Sequence, residues 1–308
     1  MLEYKKDHKA WLYVAIPLFL LVVFTFYPLV KTVLISFFSQ YNSITDTFGS
    51  FFDIEAYKSV FRDQYFLAAL KNTLIIVFIS VPASTILALL IAVALNSIKP
   101  LQKIFQTIFF IPYVTNTLAI GMVFKVMFQS IPSTGWGQQG LINALFGIST
   151  NWVGLTAGAS QWMFVVLVYS IWNGLAFKIL VFIGGLQNIS KQYYDAAKID
   201  STPPRRVLTK ITIPLLSPMI SYILITSFIG AFKSYESVLS VVGGSNRDLQ
   251  RDRWTLVAYV YDKIDEVGFD GNFVSYYSRG AAAAVILFII ILIFTVINLQ
   301  VSKKRVHY

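Results

Sequence analysis

YYDAAKIDSTPPRRVLTKITIPLLSP, Tyr193 to Pro218, is a polar and basic segment set between two strongly apolar runs. It is patterned and not of low complexity. Ser190 can cap a short helix that begins near Lys191 and continues through Asp195, Ala196, Ala197, Ile199 and Asp200. Thr202 precedes Pro203, and a residue before proline is steered out of the helical region, so that helix ends there. A second helical run, Arg205 to Ile213, leads to Pro214 and into the next apolar stretch. The pattern predicts a helix–turn–helix elbow in water between two membrane segments.

The composition agrees with a bilayer as solvent. Of 308 residues, 56% are hydrophobic and only 13% charged, with a mean hydropathy of +0.66, against about 25% charged in soluble domains. The absence of Cys excludes disulfides, thiolate metal sites and cysteine nucleophiles. His8 and His307 are the only histidines, which argues against imidazole catalysis and His-bound metals. The net charge of +10 does not imply nucleic acid here, because in a membrane protein its distribution matters more than its sum. Lys5, Lys6 and Lys9 before an apolar run imitate a signal peptide. The run is longer than a typical h-region and no A-x-A site follows it, so a retained first span is expected.

A spanning helix needs roughly 20 apolar residues to cross about 30 Å of hydrocarbon. About six segments qualify: Leu12–Val30, Leu74–Leu95, Phe105–Met127, Gln161–Ile183, Pro214–Phe232 and Ala281–Leu299. The first is expected to extend as a helix through Phe38. Lys5, Lys6 and Lys9, then Lys99 and Lys103, then Lys191, Lys198, Arg205, Arg206 and Lys210, and finally Lys303, Lys304 and Arg305 all fall on one side. The positive-inside rule makes that side cytoplasmic, with both termini and the elbow. Lys31 and Lys125, near outer ends, are expected to snorkel. Pro17, Pro28, Pro82 and Pro112 interrupt apolar runs; they read either as kinked packing or as a moving, solvated pathway.

Asp195-Ala196-Ala197, Asp200-Ser201 and Ile211-Thr212-Ile213-Pro214 together resemble the EAA loop of binding-protein-dependent ABC importer permeases. The order of further matches resembles the sugar-permease branch, related to the maltose-transporter F subunit and the glycerol-phosphate permease A subunit. These matches are Tyr27-Pro28-Leu29, Ser36-Phe37-Phe38, Leu70-Lys71-Asn72-Thr73, Ile111-Pro112-Tyr113 and Gly140-Leu141-Ile142-Asn143. They continue with Trp172-x-Gly174, Gly185-Leu186-Gln187-x-Ile189, Gly243-Gly244 and Gly280-Ala281-Ala282-Ala283. Two positions depart from the pattern: Asp195 stands where Glu is usual, and Ser201 where Gly is usual. A turn needing positive φ at Ser201 costs about 1 kcal/mol; otherwise the turn is a different one.

The resemblance implies an all-α polytopic membrane protein of the type I ABC importer permease fold. It places the first transmembrane helix and outer loop at 1–69, the permease core at 70–300 with the coupling loop near 187–213, and a cytoplasmic tail at 301–308. It implies a non-catalytic pore subunit that moves a carbohydrate, an oligosaccharide, by alternating access. The expected partners are a second homologous permease, two copies of a cytoplasmic ABC ATPase, an extracellular solute-binding protein and the lipid bilayer, with no nucleic acid. No cofactor binds this chain; ATP and Mg belong to the ATPase, in the plasma (inner) membrane of a bacterium or archaeon. Tyr194, Asp195, Ala196, Ala197, Asp200, Ser201 and Pro214 are the implied coupling residues, with Tyr193 as a second aromatic anchor. The long outer loop from Glu236 to Arg279 is implied to meet the binding protein, or else to cap its own helices.

Trp172, Asn173, Gly174 and Phe177 in span four, with Phe232, Ser234 and Tyr235 at the end of span five, match stretches that contact the sugar in the maltose relative. Aromatic faces suit sugar C–H faces, and amides and hydroxyls suit sugar hydroxyls. Lys178 belongs to the first of these clusters and Lys233 and Glu236 to the second, and Thr115 and Asn116 after Pro112 are weaker pathway candidates. Trp172 could instead be interfacial or core, Asn173 interhelical glue, and Lys233 with Glu236 a local pair. An ion-coupled carrier would need intramembrane carboxylates, and the spans have no central Asp or Glu. An integral-membrane enzyme would offer His, Cys or clustered acids. No metal ligand set and no ATP-binding loop is present in the sequence.

Overall fold

The computed structural model describes residues 7–49, 52–98, 102–129, 140–154, 156–242, 251–265 and 276–305. Lys5, Lys6, Lys99, His307 and Gly243-Gly244 lie outside them. In chain order the helices are α1 (Asp7–Leu21), α2 (Tyr27–Ser36), α3 (Glu55–Arg62), α4 (Gln64–Ser97), α5 (Gln102–Val114), α6 (Thr117–Phe128), α7 (Leu141–Phe146) and α8 (Ala159–Gln187). There follow α9 (Lys191–Ile199), α10 (Pro204–Val207), α11 (Ile213–Leu215), α12 (Ser217–Phe232), α13 (Glu236–Val242), α14 (Leu256–Asp265) and α15 (Tyr276–Arg305). Among the described residues, four stretches are long and apolar enough to cross a membrane: Tyr13–Ser36, Gln64–Ser97, Ala159–Gln187 and Tyr277–Lys303. Two bent pairs bring the number to six if each is one span.

Those two pairs fall in the third and fifth apolar segments, Phe105–Met127 and Pro214–Phe232, and show how sharply each is broken. Ile104–Val114 and Thr117–Phe128 meet at 96°. Pro112 removes a backbone donor near the end of α5, and Asn116 then leaves the helical region. Its side chain accepts from the Leu118 and Ala119 amides, which starts α6 afresh. Asn116 is therefore a cap. Pro204–Leu215 and Ser217–Phe232 meet at 67°. Pro218, near the start of α12, has no N–H to donate and forbids continuation of α11.

Two π turns share one cause. Val22–Phe26 joins α1 to α2, and Leu208–Thr212 joins α10 to α11. In each, the next amide reaches back five residues, Tyr27 to the Val22 carbonyl and Ile213 to that of Leu208. Pro28 and Pro214 come immediately after. A proline ring would strike the carbonyl four residues earlier, here Phe24 and Lys210, and the wider turn swings that carbonyl aside. The second helical run of the elbow is thus one helix from Pro204 to Leu215 with a π turn inside it.

The described chain clusters into two compact units. The first takes residues up to Phe66 and 259–288. Its small core is Ile35, Tyr41 and Ala281, with Phe38 and Tyr277 against it. Ser278 donates to the Phe38 carbonyl (2.6 Å), and the Tyr259 hydroxyl to Asp63 (2.9 Å). The Lys31 ammonium lies 2.8 Å from Asp46, an opposite charge within reach in the loop that follows. Lys31 and the Tyr41 hydroxyl hold the Asp46 carboxyl below its usual range. Burial and the Asp46 contact push the Tyr41 hydroxyl up to about 12.

The second unit takes 67–258 and 289 onward. Its core joins Ala88, Ala92 and Leu95 of α4 to Ile179, Phe182, Ile183 and Leu186 of α8, with Leu216 and Ile223. Both sets recur at three- and four-residue spacing, so each helix presents one face. Gly185 permits this approach: a Cβ there would lie 2.8 Å from a Leu216 methyl. Asn72 donates to the Asp252 and Trp254 carbonyls, and Thr73 accepts from the Leu256 amide. Arg253, 2% exposed, binds the Gly154 and Ala157 carbonyls. These bonds anchor the outer connections to the helices.

Candidate functional site

The elbow forms as its sequence predicts. Ser190 caps α9 by accepting from the Gln192 amide. The helix ends with the Thr202 amide on the Ala197 carbonyl (2.9 Å) and the Ser201 amide on the Lys198 carbonyl (3.0 Å). That is a Schellman motif, and it requires a left-handed residue at Ser201, where φ is 50°. Serine thus occupies a conformation that favours glycine. Ser201→Gly should remove a strain of about 1 kcal/mol, offset in part by the greater freedom of glycine in the unfolded chain. The expected result is slower hydrogen exchange at the Thr202 amide in the variant.

The Tyr194 hydroxyl meets Thr212 (3.3 Å), tying α9 to the helix that follows. Ala197 is buried, whereas Ala196 faces out. Asp195, Asp200 and Ser201 are exposed, and Pro214 is half-buried at the π turn. Asp195 and Lys198 form an exposed pair at 3.4 Å, worth little by itself. Tyr193 is 53% exposed. The outer face of α9 is therefore Tyr193, Asp195, Ala196 and Asp200. Its inner side, Tyr194 and Ala197, closes a cavity of about 310 Å³ against Val93, Asn96 and Leu186 at the ends of α4 and α8.

A second cavity, about 320 Å³, lies within the membrane-spanning helices of the same unit. α8 contributes Asn173, Gly174, Phe177 and Lys178. Pro112 and Tyr113 come from α5, Thr117 from α6, and Thr226 and Ser227 from α12. Tyr113 and Phe177 stack with centroids 5.6 Å apart, making an aromatic wall. Three of the four residues expected from span four thus come together. Trp172 instead packs on Phe124 (5.3 Å) and remains partly exposed.

The residues expected from span five lie elsewhere. Phe232 is fully buried and packs on Phe294 of α15 (5.2 Å). Among the described residues, Ser234 and Tyr235 are not in the cavity wall; the Ser234 carbonyl accepts from Thr255 and that of Tyr235 from Val238. Thr226 and Ser227, one to two turns earlier, line that cavity instead. Two adjacent hydroxyls inside the apolar run ILITSFIGAF were the available signal. Tyr113 was visible only as part of Ile111-Pro112-Tyr113.

With this geometry, the family assignment is direct. The chain belongs to the family of binding-protein-dependent transport system inner membrane components, whose model matches residues 72–306. It is similar to the arabinooligosaccharides transport system permease protein of Bacillus subtilis, at 31% identity over 98% of this chain and 90% of the relative. The multiple sugar-binding transport system permease protein of Streptococcus mutans is 29% identical over 96% and 95%. A bacterial ABC transporter involved in the import of the acidic polysaccharide alginate shares the fold, with a TM-score of 0.73, 18% identity and 98% of both chains covered. The fold is that of a type I ABC importer permease, a multi-pass membrane protein.

Proposed function

We propose that this chain is the permease subunit of a carbohydrate importer in the plasma membrane of a bacterium or archaeon. Its half of the path is the cavity walled by Tyr113, Asn173, Phe177, Thr226 and Ser227. One observation carries this reading: the Tyr113–Phe177 wall and five polar side chains, Thr117, Asn173, Lys178, Thr226 and Ser227, converge on one intramembrane space, four helices contributing in all. Such groups are costly toward lipid and suit a hydroxylated ring. The names of the similar relatives, an arabinooligosaccharide and a multiple-sugar system, support an oligosaccharide substrate.

ATP and Mg act on separate ATPase subunits that seat on the outer face of α9. A second permease completes the pore, and an extracellular binding protein delivers the substrate. A solved structure of the alginate transporter holds a pentasaccharide-bound periplasmic protein, which supports the last of these partners. Purifying the tagged chain from its native membrane tests the assembly. It should bring a second permease and two ATPase copies; isolation of this chain alone, in a detergent that preserves such complexes, counts against the proposal.

A further inference from the structure

Among the described residues, Lys178 is a buried lysine with no carboxylate paired to it. It lies nine residues before Gln187, the end of α8, about 13 Å along the axis, too far for its side chain to reach that end. Only 5% of the residue is exposed. Its ammonium donates to the Ser84 hydroxyl, which itself donates to the Ser80 carbonyl. That contact uses one of three ammonium hydrogens, and Lys178 lines the cavity beside Asn173 and Phe177. Between Asp63 and Asp195 the sequence has no Asp or Glu, which covers α4, α5, α6 and α8; α12 has none either. Among the described residues no carboxylate pairs with it. A buried ammonium without an anion is costly, and an anion supplied from outside the chain would offset that cost.

We propose that Lys178 sets the specificity of this path for an anionic sugar, its ammonium making a charge-assisted hydrogen bond to a carboxylate or phosphate on the ring. The inference rests on the permease reading and narrows it. Asn173, Thr226 and Ser227 bond the neutral hydroxyls, and the Tyr113–Phe177 wall packs on the ring face.

The test uses the complete transporter in proteoliposomes with its binding protein, supplied with labelled trigalacturonate, a hexose phosphate, or a neutral trisaccharide. Wild type should take up one of the anionic probes in preference to the neutral one, and the uronate and phosphate arms distinguish the source of the anion. In Lys178→Gln the ratio of anionic to neutral uptake should fall about tenfold or more. Lys178→Arg, which keeps the charge, should hold the ratio above that of Lys178→Gln. Preference for the neutral probe by wild type overturns the proposal. So does an equal ratio in wild type and Lys178→Gln, or a Lys178→Gln complex that sheds its second permease, which would make a partner carboxylate the counter-ion. Absence of ATP-dependent uptake of all three probes overturns the permease reading itself, and this proposal with it.

Discussion

Asp195→Lys and Ala196→Trp are each expected to abolish ATP-driven uptake while leaving the chain folded and inserted. Both side chains lie on the outer face of α9, with Asp195 65% exposed and held only by a surface pair to Lys198. Neither change disturbs the Schellman turn, the Tyr194–Thr212 contact or the buried Ala197. In the proposed docked complex the same positions would be desolvated. Misplaced charge at an interface costs several kcal/mol, and each 1.4 kcal/mol is tenfold, so a loss of about a hundredfold is expected. Ala197→Trp makes the contrast, since it should loosen the elbow itself. Uptake and the proteolytic pattern of the elbow, measured on the same membranes, separate the two kinds of failure. Unchanged uptake by Asp195→Lys and Ala196→Trp would contradict docking on this face.

The second large effect concerns Gly121, where α6 crosses α13. A Cβ added there would lie 1.8 Å from the Ser240 hydroxyl oxygen and 2.4 Å from the Ser240 Cβ, which is fixed to backbone. The helices must part to admit it. Small residues allow this kind of close crossing where lipid removes the hydrophobic drive between helices. Gly121→Val should cost about 3 kcal/mol, at the upper end of overpacking. It should lower the melting temperature of the purified complex markedly. Gly121→Ala should be milder, and milder still in a Ser240→Gly background, a coupling that a double-mutant cycle reads directly.

The elbow was legible because its signals are local. A capping serine, a residue steered by the following proline, and the placement of basic residues each act within a few positions. The family resemblance was legible because Asn72-Thr73, Gly140 and Gly185 are packing requirements. Asn72 and Thr73 fasten the outer connection, and a Cβ on Gly140 would meet the Met127 and Gln129 carbonyls at 2.6 and 2.5 Å.

What escaped the sequence depends on angle or phase. A run such as Phe105–Met127 carries the apolar length of one span, and only Pro112 with Asn116 betrays its 96° bend. Helices apolar on all sides do not show which polar residue faces a cavity. Hence Thr226 and Ser227 line the cavity, whereas Phe232, Ser234 and Tyr235 do not. Nor did the pattern show that Ala196 and Ala197 face opposite ways. The partner of Lys31 was hidden because Asp46 is brought to it by a turn at positive φ in the loop beyond α2.

The most direct measurement is uptake of a labelled oligosaccharide into proteoliposomes holding the purified complex, with its binding protein outside and ATP inside. Uptake should require both ATP and binding protein and should vanish with Asp195→Lys in this chain. Uptake that persists without ATP, or with the Asp195→Lys elbow, would contradict the proposed function.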